Sequence, residues 1–274
     1  MPGGSLCARG AAGGGGRRRR RLPGASGRGD GPGRGDPALP AARPGPDPGA
    51  GARTPAPRPL PGRLRGGAAL KPVAVVTGAA GGLGRAITAE LEARGYEVVG
   101  LSRRSGVDAA DEAQVEAAFS SLVRLDTLVN NAAWLIQKPV AELTAEEWDL
   151  QLSSTLRSAF LCSREALRRM QPGGTIVNVS SLSGITGAEK FPGMAAYVAA
   201  KSGLAGLTEA LAVEGRPLGI RANAVSPGAI ETPMLEISGV AGRAFEPAAV
   251  ARVIAWLAAS ESEPITGANL RLEP

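Results

Sequence analysis

The sequence predicts an α/β fold: a doubly wound parallel sheet in a single domain, behind a disordered N-terminal tail. Three observations carry this. From residue 70 onwards short β-branched runs alternate with helical patterns. A glycine-rich turn, TGAAGGLG, joins the first such run to the first helix. The first 67 residues differ sharply in composition from the rest.

The elements follow in order. PVAVVT (Pro72–Thr77) is a short β-branched run and reads as a buried strand. LGRAITAELEARG places Leu83, Ile87 and Leu91 at helical spacing, with Gly95 at the helix end. Tyr96–Ser102 reads as strand, Asp111–Leu122 as helix and Asp126–Ala133 as strand. Ala145–Met170 reads as one long helix. Strand Gly174–Ser181, helix Ala195–Gly215, strand Ile220–Gly228, helix Glu246–Ser260 and a last strand at NLRLE complete the series. Only about eight residues separate SRR (Ser102–Arg104) from Asp111, so the helix that would follow the second strand is missing or reduced to a loop. Strands alternating with helices imply a parallel sheet covered on both faces.

Residues 1–67 hold 13 of the 31 basic and 3 of the 25 acidic side chains, a net of +10. Residues 68–274 then carry 18 basic and 22 acidic side chains, a net of −4. The tail is Gly, Pro, Ala and Arg, with too little apolar surface to offset its chain entropy. Gly13–Arg21 reads as a solvated charge run, with contact to RNA or an anionic membrane as the alternative, and the tail reads as translated upstream sequence rather than a transit segment, whose serines and amphipathic apolar residues it lacks. The mildly acidic remainder gives no sign of nucleic-acid binding. No apolar run is long enough to span a membrane.

The chain has no histidine and two cysteines, Cys7 and Cys162. Ser-His-Asp and Cys-His catalysis are therefore excluded, as are the common zinc sites. Two thiols so far apart do not suggest a disulfide framework and fit a reducing, cytoplasmic setting. Acid–base work falls to Tyr, Lys, Asp, Glu or Cys. One of the only two tyrosines, Tyr197, stands four residues before Lys201 in AAYVAAKSG, one helical turn away on a shared face.

In the glycine turn, Gly78 permits a tight bend and Gly82 lets backbone approach a pyrophosphate. Gly84 lets helix and strand pack closely, so that an anion meets free N–H groups at the helix N-terminus, as in a Rossmann-type fold.

TG-x-x-x-G-x-G, then NNA, a serine strand, and Y-x-x-x-K form an ordered set over about Pro72–Leu272. In this the sequence resembles the short-chain dehydrogenase/reductase family, in its single-domain branch. The matching residues are Thr77, Gly78, Gly82, Gly84, Asn130-Asn131-Ala132, Ser181, Tyr197, Lys201 and Ser226-Pro227-Gly228. The resemblance implies hydride transfer between a nicotinamide cofactor and a carbonyl or alcohol carbon. It makes Tyr197 the acid or base and Lys201 the cation that favours its phenolate and binds the nicotinamide ribose. It makes Ser181, rather than Ser180, the group that holds the substrate oxygen.

The resemblance also implies cofactor contacts at Leu83, Ser102, Asp108, Asn130, Ala132, Pro227, Gly228, Ile230 and Thr232. Ser102 and Arg103 stand where an acid for the ribose 2′-hydroxyl would be. A guanidinium fork suits a 2′-phosphate, so NADP(H) is expected, with NAD as the alternative. Thr155 takes the place of the family's catalytic asparagine, and Ala133 replaces the glycine of NNAG. Gly187–Gly193 reads as an insertion on the substrate side. Trp134, Leu135, Ile136, Leu182, Phe191 and the Met234–Phe245 segment are expected to line an apolar pocket for a ketone, aldehyde or secondary alcohol. A homodimer or homotetramer through the helices at 145–170 and 195–215 is implied. Two further readings remain open: an NAD-dependent diol or alcohol dehydrogenase, and a catalytically weak nucleotide-binding sensor.

Overall fold

The computed structural model describes residues 71–240 and 242–274. The tail expectation for residues 1–67 lies outside the described residues.

Six parallel strands form one sheet in the order β2-β1-β3-β4-β5-β6. They are β1 (Val73–Thr77), β2 (Glu97–Leu101), β3 (Thr127–Asn130), β4 (Thr175–Val179), β5 (Arg221–Pro227) and β6 (Asn269–Leu272). The order turns back at β1, which has β2 on one side and β3 on the other. Such a switch point opens a crevice at the carboxyl ends of the strands. Against the order 3-2-1-4-5-6 of a full doubly wound sheet, no strand lies outside β2 among the described residues. Residues 102–111 link β2 to the next helix with a single 3₁₀ turn, Arg103–Ser105, as the short spacing predicts.

The strands form where β-branched residues run together, and their alternation serves two cores. In β1, Val75 joins a core with Phe119, Leu128 and Leu161, while Ala74 and Val76 join the opposite one with Ile87, Val129 and Ile254. Helices α1 (Gly82–Ala93) and α7 (Pro247–Ala258) pack together on one face. Helices α2 (Glu112–Ser120), α4 (Ser158–Arg169) and α5 (Ala195–Gly215) cover the other.

The long helix expected over 145–170 is interrupted. Helix α3 (Ala145–Leu152) passes through a π-helical turn, Ser153–Arg157, before α4 begins. Its start is a capping box: Thr144 Oγ1 accepts from Glu147 N, and Glu147 returns the bond to Thr144 N. A short helix that the sequence pattern does not announce, α6 (Pro233–Ser238), follows β5.

Candidate active site

The residues singled out from sequence gather along the carboxyl edge of the sheet. Gly78 leaves β1 with φ of 66°, and a Cβ there would lie 2.9 Å from Ala132 Cα. A Cβ on Gly84 would fall on the Gly78 carbonyl, and one on Gly82 would lie 2.8 Å from Thr232 Cγ2. All three positions thus need glycine for close approach. Gly81 caps α1 without a side-chain bond, so the first N–H groups of the helix are left without side-chain partners. These free donors and the absent Cβ atoms fit a pyrophosphate.

The turn is braced from β3. Asn131 N and Ala132 N both donate to Thr77 Oγ1 at 3.0 Å. Asn131 Nδ2 donates to the Thr77 and Gly78 carbonyls at 3.0 and 3.2 Å. Asn131 therefore shapes the turn, whereas the side chain of Asn130 faces the core. Asn130 Nδ2 donates to Ser163 Oγ at 2.9 Å and to Asn178 Oδ1 at 2.8 Å, and Asn178 Nδ2 donates to Thr208 Oγ1 at 2.8 Å. Any nucleotide contact from Asn130 falls to its backbone. The Leu83 side chain is likewise buried in the core.

At the end of β2, Ser102 closes a capping box with Ser105. The Arg103 guanidinium lies 5.1 Å from the centre of the Trp134 ring, which is 47% exposed. Trp134 was expected to line the substrate pocket. Its ring lies under the Arg103 guanidinium, because a cation and an indole face attract. The Asp108 carboxylate accepts from Ala110 N at 3.0 Å in a local turn, and no hydrogen bond joins it to the glycine turn. From β5, Gly228 N donates to Leu272 O at 3.0 Å, and Ile230 pairs with Phe245 across the base of the α6 segment.

Ser181 follows β4 and caps a 3₁₀ turn, its Oγ accepting from Ser183 N at 3.1 Å. Ser180 turns inward instead, donating to the Lys201 carbonyl at 2.9 Å. Lys201 is only 2% exposed. Its Nζ donates to the Val179 carbonyl at 2.6 Å and stands 5.6 Å from the centre of the Tyr197 ring. Burial pulls the Lys201 ammonium down to about 7.

Burial also pushes the Tyr197 phenol upward, eased in part by hydrogen bonding from the Ser181 hydroxyl. The expectation was the reverse, a phenol lowered by its lysine neighbour. Loss of hydration around the half-buried phenol is the larger effect.

Thr155 sits in the π-turn at 1% exposure, where Gln151 Nε2 donates to its Oγ1 at 3.4 Å. Gln151 escaped the sequence reading, because a glutamine on an amphipathic helix reads as surface. The 187–193 segment docks on the segment after β3: Lys138 N donates to Gly193 O at 2.8 Å and Gln137 Nε2 to Pro192 O at 3.4 Å. Among the described residues, no helix is long and apolar enough to cross a membrane, and no cluster of His, Cys, Asp or Glu could hold a metal.

Comparison with known proteins identifies the family. Residues 103–273 match the family model described as Enoyl-(Acyl carrier protein) reductase. The chain is 37% identical over 192 residues to a 3beta-hydroxysteroid dehydrogenase of Mediterraneibacter gnavus, covering 61% of this chain and 68% of that one. It is 36% identical over 205 residues to a cyclopentanol dehydrogenase of Comamonas, covering 65% and 81%. A dehydrogenase/reductase from Sinorhizobium meliloti superposes with a TM-score of 0.66 at 30% identity, over 73% of this chain and 93% of that one. A short-chain dehydrogenase/reductase from Serratia marcescens gives 0.66 at 30%, over 73% and 96%. With a six-stranded parallel sheet, a glycine turn at its switch point and a tyrosine–lysine helix beside it, the chain belongs to the short-chain dehydrogenase/reductase family of oxidoreductases, which use NAD(P).

Proposed function

We propose that residues 68–274 form an NADP(H)-dependent carbonyl reductase working through Ser181, Tyr197 and Lys201. One observation carries the reading. A half-buried phenol, a serine hydroxyl beside it and a buried amine bonded to a carbonyl rather than a carboxylate come together where α5 meets β4.

A bound nicotinamide would supply the hydride. Tyr197 donates its proton to the carbonyl oxygen as negative charge develops there. The Ser181 hydroxyl, accepting from Ser183 N, turns its one hydrogen from the Tyr197 oxygen to that same substrate oxygen. Lys201, with a pKa of about 7, is about half protonated at neutral pH, and its ammonium form stabilises the phenolate left behind. A resting phenol in its protonated form suits reduction better than oxidation.

Gly78, Gly82 and Gly84 with the N-terminus of α1 hold the pyrophosphate. Arg103 binds a 2′-phosphate, its guanidinium kept at the crevice mouth by Trp134. Thr232, which reaches Gly82, closes the cradle from the β5 side. Leu182, Phe191, Met194 and the segment after Ile230 suit an apolar, cyclic substrate. The names of the steroid and cyclopentanol relatives support the same class. Leu150, Phe160 and Val213 expose apolar surface on α3, α4 and α5, which supports assembly of subunits through these helices.

The test is turnover of a panel of cyclic ketones with NADPH and with NADH. The reading expects oxidation of NADPH at a kcat/KM at least tenfold above NADH. A preference for NADH overturns the cofactor assignment, and turnover with neither overturns the enzyme reading.

A further inference from the structure

Gln151 is 0% exposed and is among the largest fully buried side chains, although it is polar. A leucine would fill the same space without the cost of burying a carboxamide. Its bonds explain what it does there. Gln151 Oε1 accepts from Ile136 N at 2.9 Å. Its Nε2 donates to the Trp134 carbonyl and, at 3.4 Å, to Thr155 Oγ1. One carboxamide thus ties the segment after Asn131-Ala132 to the π-turn.

The π-turn marks a second departure from regular structure. A π-turn widens the helix locally and recurs at functional sites. This one packs on α5, the helix that carries Tyr197 and Lys201. The approach is close enough that a Cβ on Gly203, two residues beyond Lys201, would lie 2.8 Å from Leu156 Cδ2. Thr155 is buried, and its hydroxyl accepts from Gln151 but donates to no acceptor among the described residues. Since a hydroxyl has one hydrogen to give, the Gln151 contact orients Thr155 with that hydrogen still available.

We propose that Gln151 is a positioning residue. It holds the Trp134–Ile136 segment and aims the Thr155 hydroxyl, so that Thr155 keeps a free donor within the π-turn that packs on α5. The proposal rests on the Ser181–Tyr197–Lys201 reading. Gln151 touches neither substrate nor cofactor; it acts through Thr155.

A double-mutant cycle on the full chain tests it, following ketone reduction with NADPH. Gln151→Leu should lower kcat about tenfold while changing the KM for ketone less than twofold. Thr155→Val should lower kcat by a similar factor. The double variant should be no slower than the slower single variant. Gln151→Glu keeps the acceptor for Ile136 N but has no hydrogen to give until its buried carboxyl is protonated, and then one in place of two, so that recovery is partial. Its kcat relative to wild type should therefore rise as pH falls from 8 to 6, which keeps the test decisive if Gln151→Leu fails to fold. Losses that multiply in the double variant, or a Gln151→Glu profile parallel to wild type, overturn the proposal. Tyr197→Phe is run alongside as the control on the underlying reading. If Tyr197→Phe keeps full activity, that reading falls; if Tyr197→Phe is dead and the two losses multiply, only the role of Gln151 falls.

Discussion

Lys201 Nζ donates to the Val179 carbonyl at 2.6 Å, so the last residue of β4 fixes the amine that faces the Tyr197 ring. A lysine this deeply buried costs stability while it is charged. With a folded pKa of about 7 against 10.5 unfolded, the unfolded chain binds more protons between those values. Stability then rises with pH across that window, and the cost is fully felt below pH 7. Lys201→Met should therefore be more stable than wild type at pH 6, by ~2–4 kcal/mol. The gap should shrink as pH rises towards 10. Urea unfolding at several pH values measures it; a variant less stable at pH 6, or a gap independent of pH, contradicts the account.

The glycines divide into two kinds. Gly84→Ala drives a methyl group into the Gly78 carbonyl and to 2.8 Å from Ala79 Cα. It should cost ~1–3 kcal/mol and weaken nucleotide binding more than tenfold. Gly95 has φ of 90° with nothing within 4 Å of a new Cβ. Gly95→Ala should cost only the backbone strain, ~1–2 kcal/mol, and leave nucleotide affinity unchanged. Unfolding curves and nucleotide titrations on both variants check the contrast.

The buried chain Ser163–Asn130–Asn178–Thr208 links β3 and β4 to α4 and α5. Asn130→Ala strands the Ser163 and Asn178 acceptors in the core. The expected loss is ~2–4 kcal/mol in urea unfolding. A loss under ~0.5 kcal/mol means the network does not hold these elements together.

Arg103→Asp replaces a guanidinium over the Trp134 ring with a carboxylate, which repels a 2′-phosphate and accepts from a 2′-hydroxyl. The ratio of kcat/KM for NADPH over NADH should fall by more than a hundredfold. An unchanged ratio removes Arg103 from cofactor selection.

Much of this was legible in the chain itself. β-branched runs such as VAVVT placed the strands, and TGAAGGLG placed the phosphate turn, because both depend on neighbours in sequence. Tyr197 and Lys201 were readable because a helix puts residues four apart on one face. What escaped depends on distant partners. The π-turn at Ser153–Arg157, the buried carboxamide of Gln151 and the core-facing Asn130 are set by contacts 15 to 48 residues away. The meeting of Arg103 with the Trp134 ring is likewise set by a distant partner. The upward push on Tyr197 follows from burial, a property of the assembled fold rather than of the Y-x-x-x-K spacing.

The central claim is that the Tyr197 hydroxyl delivers the proton to the substrate oxygen. The most direct measurement is kcat for ketone reduction by Tyr197→Phe, with NADPH affinity measured on the same protein. The account predicts at least a thousandfold loss in kcat with NADPH affinity within threefold of wild type. Reduction at more than a tenth of the wild-type rate would contradict it.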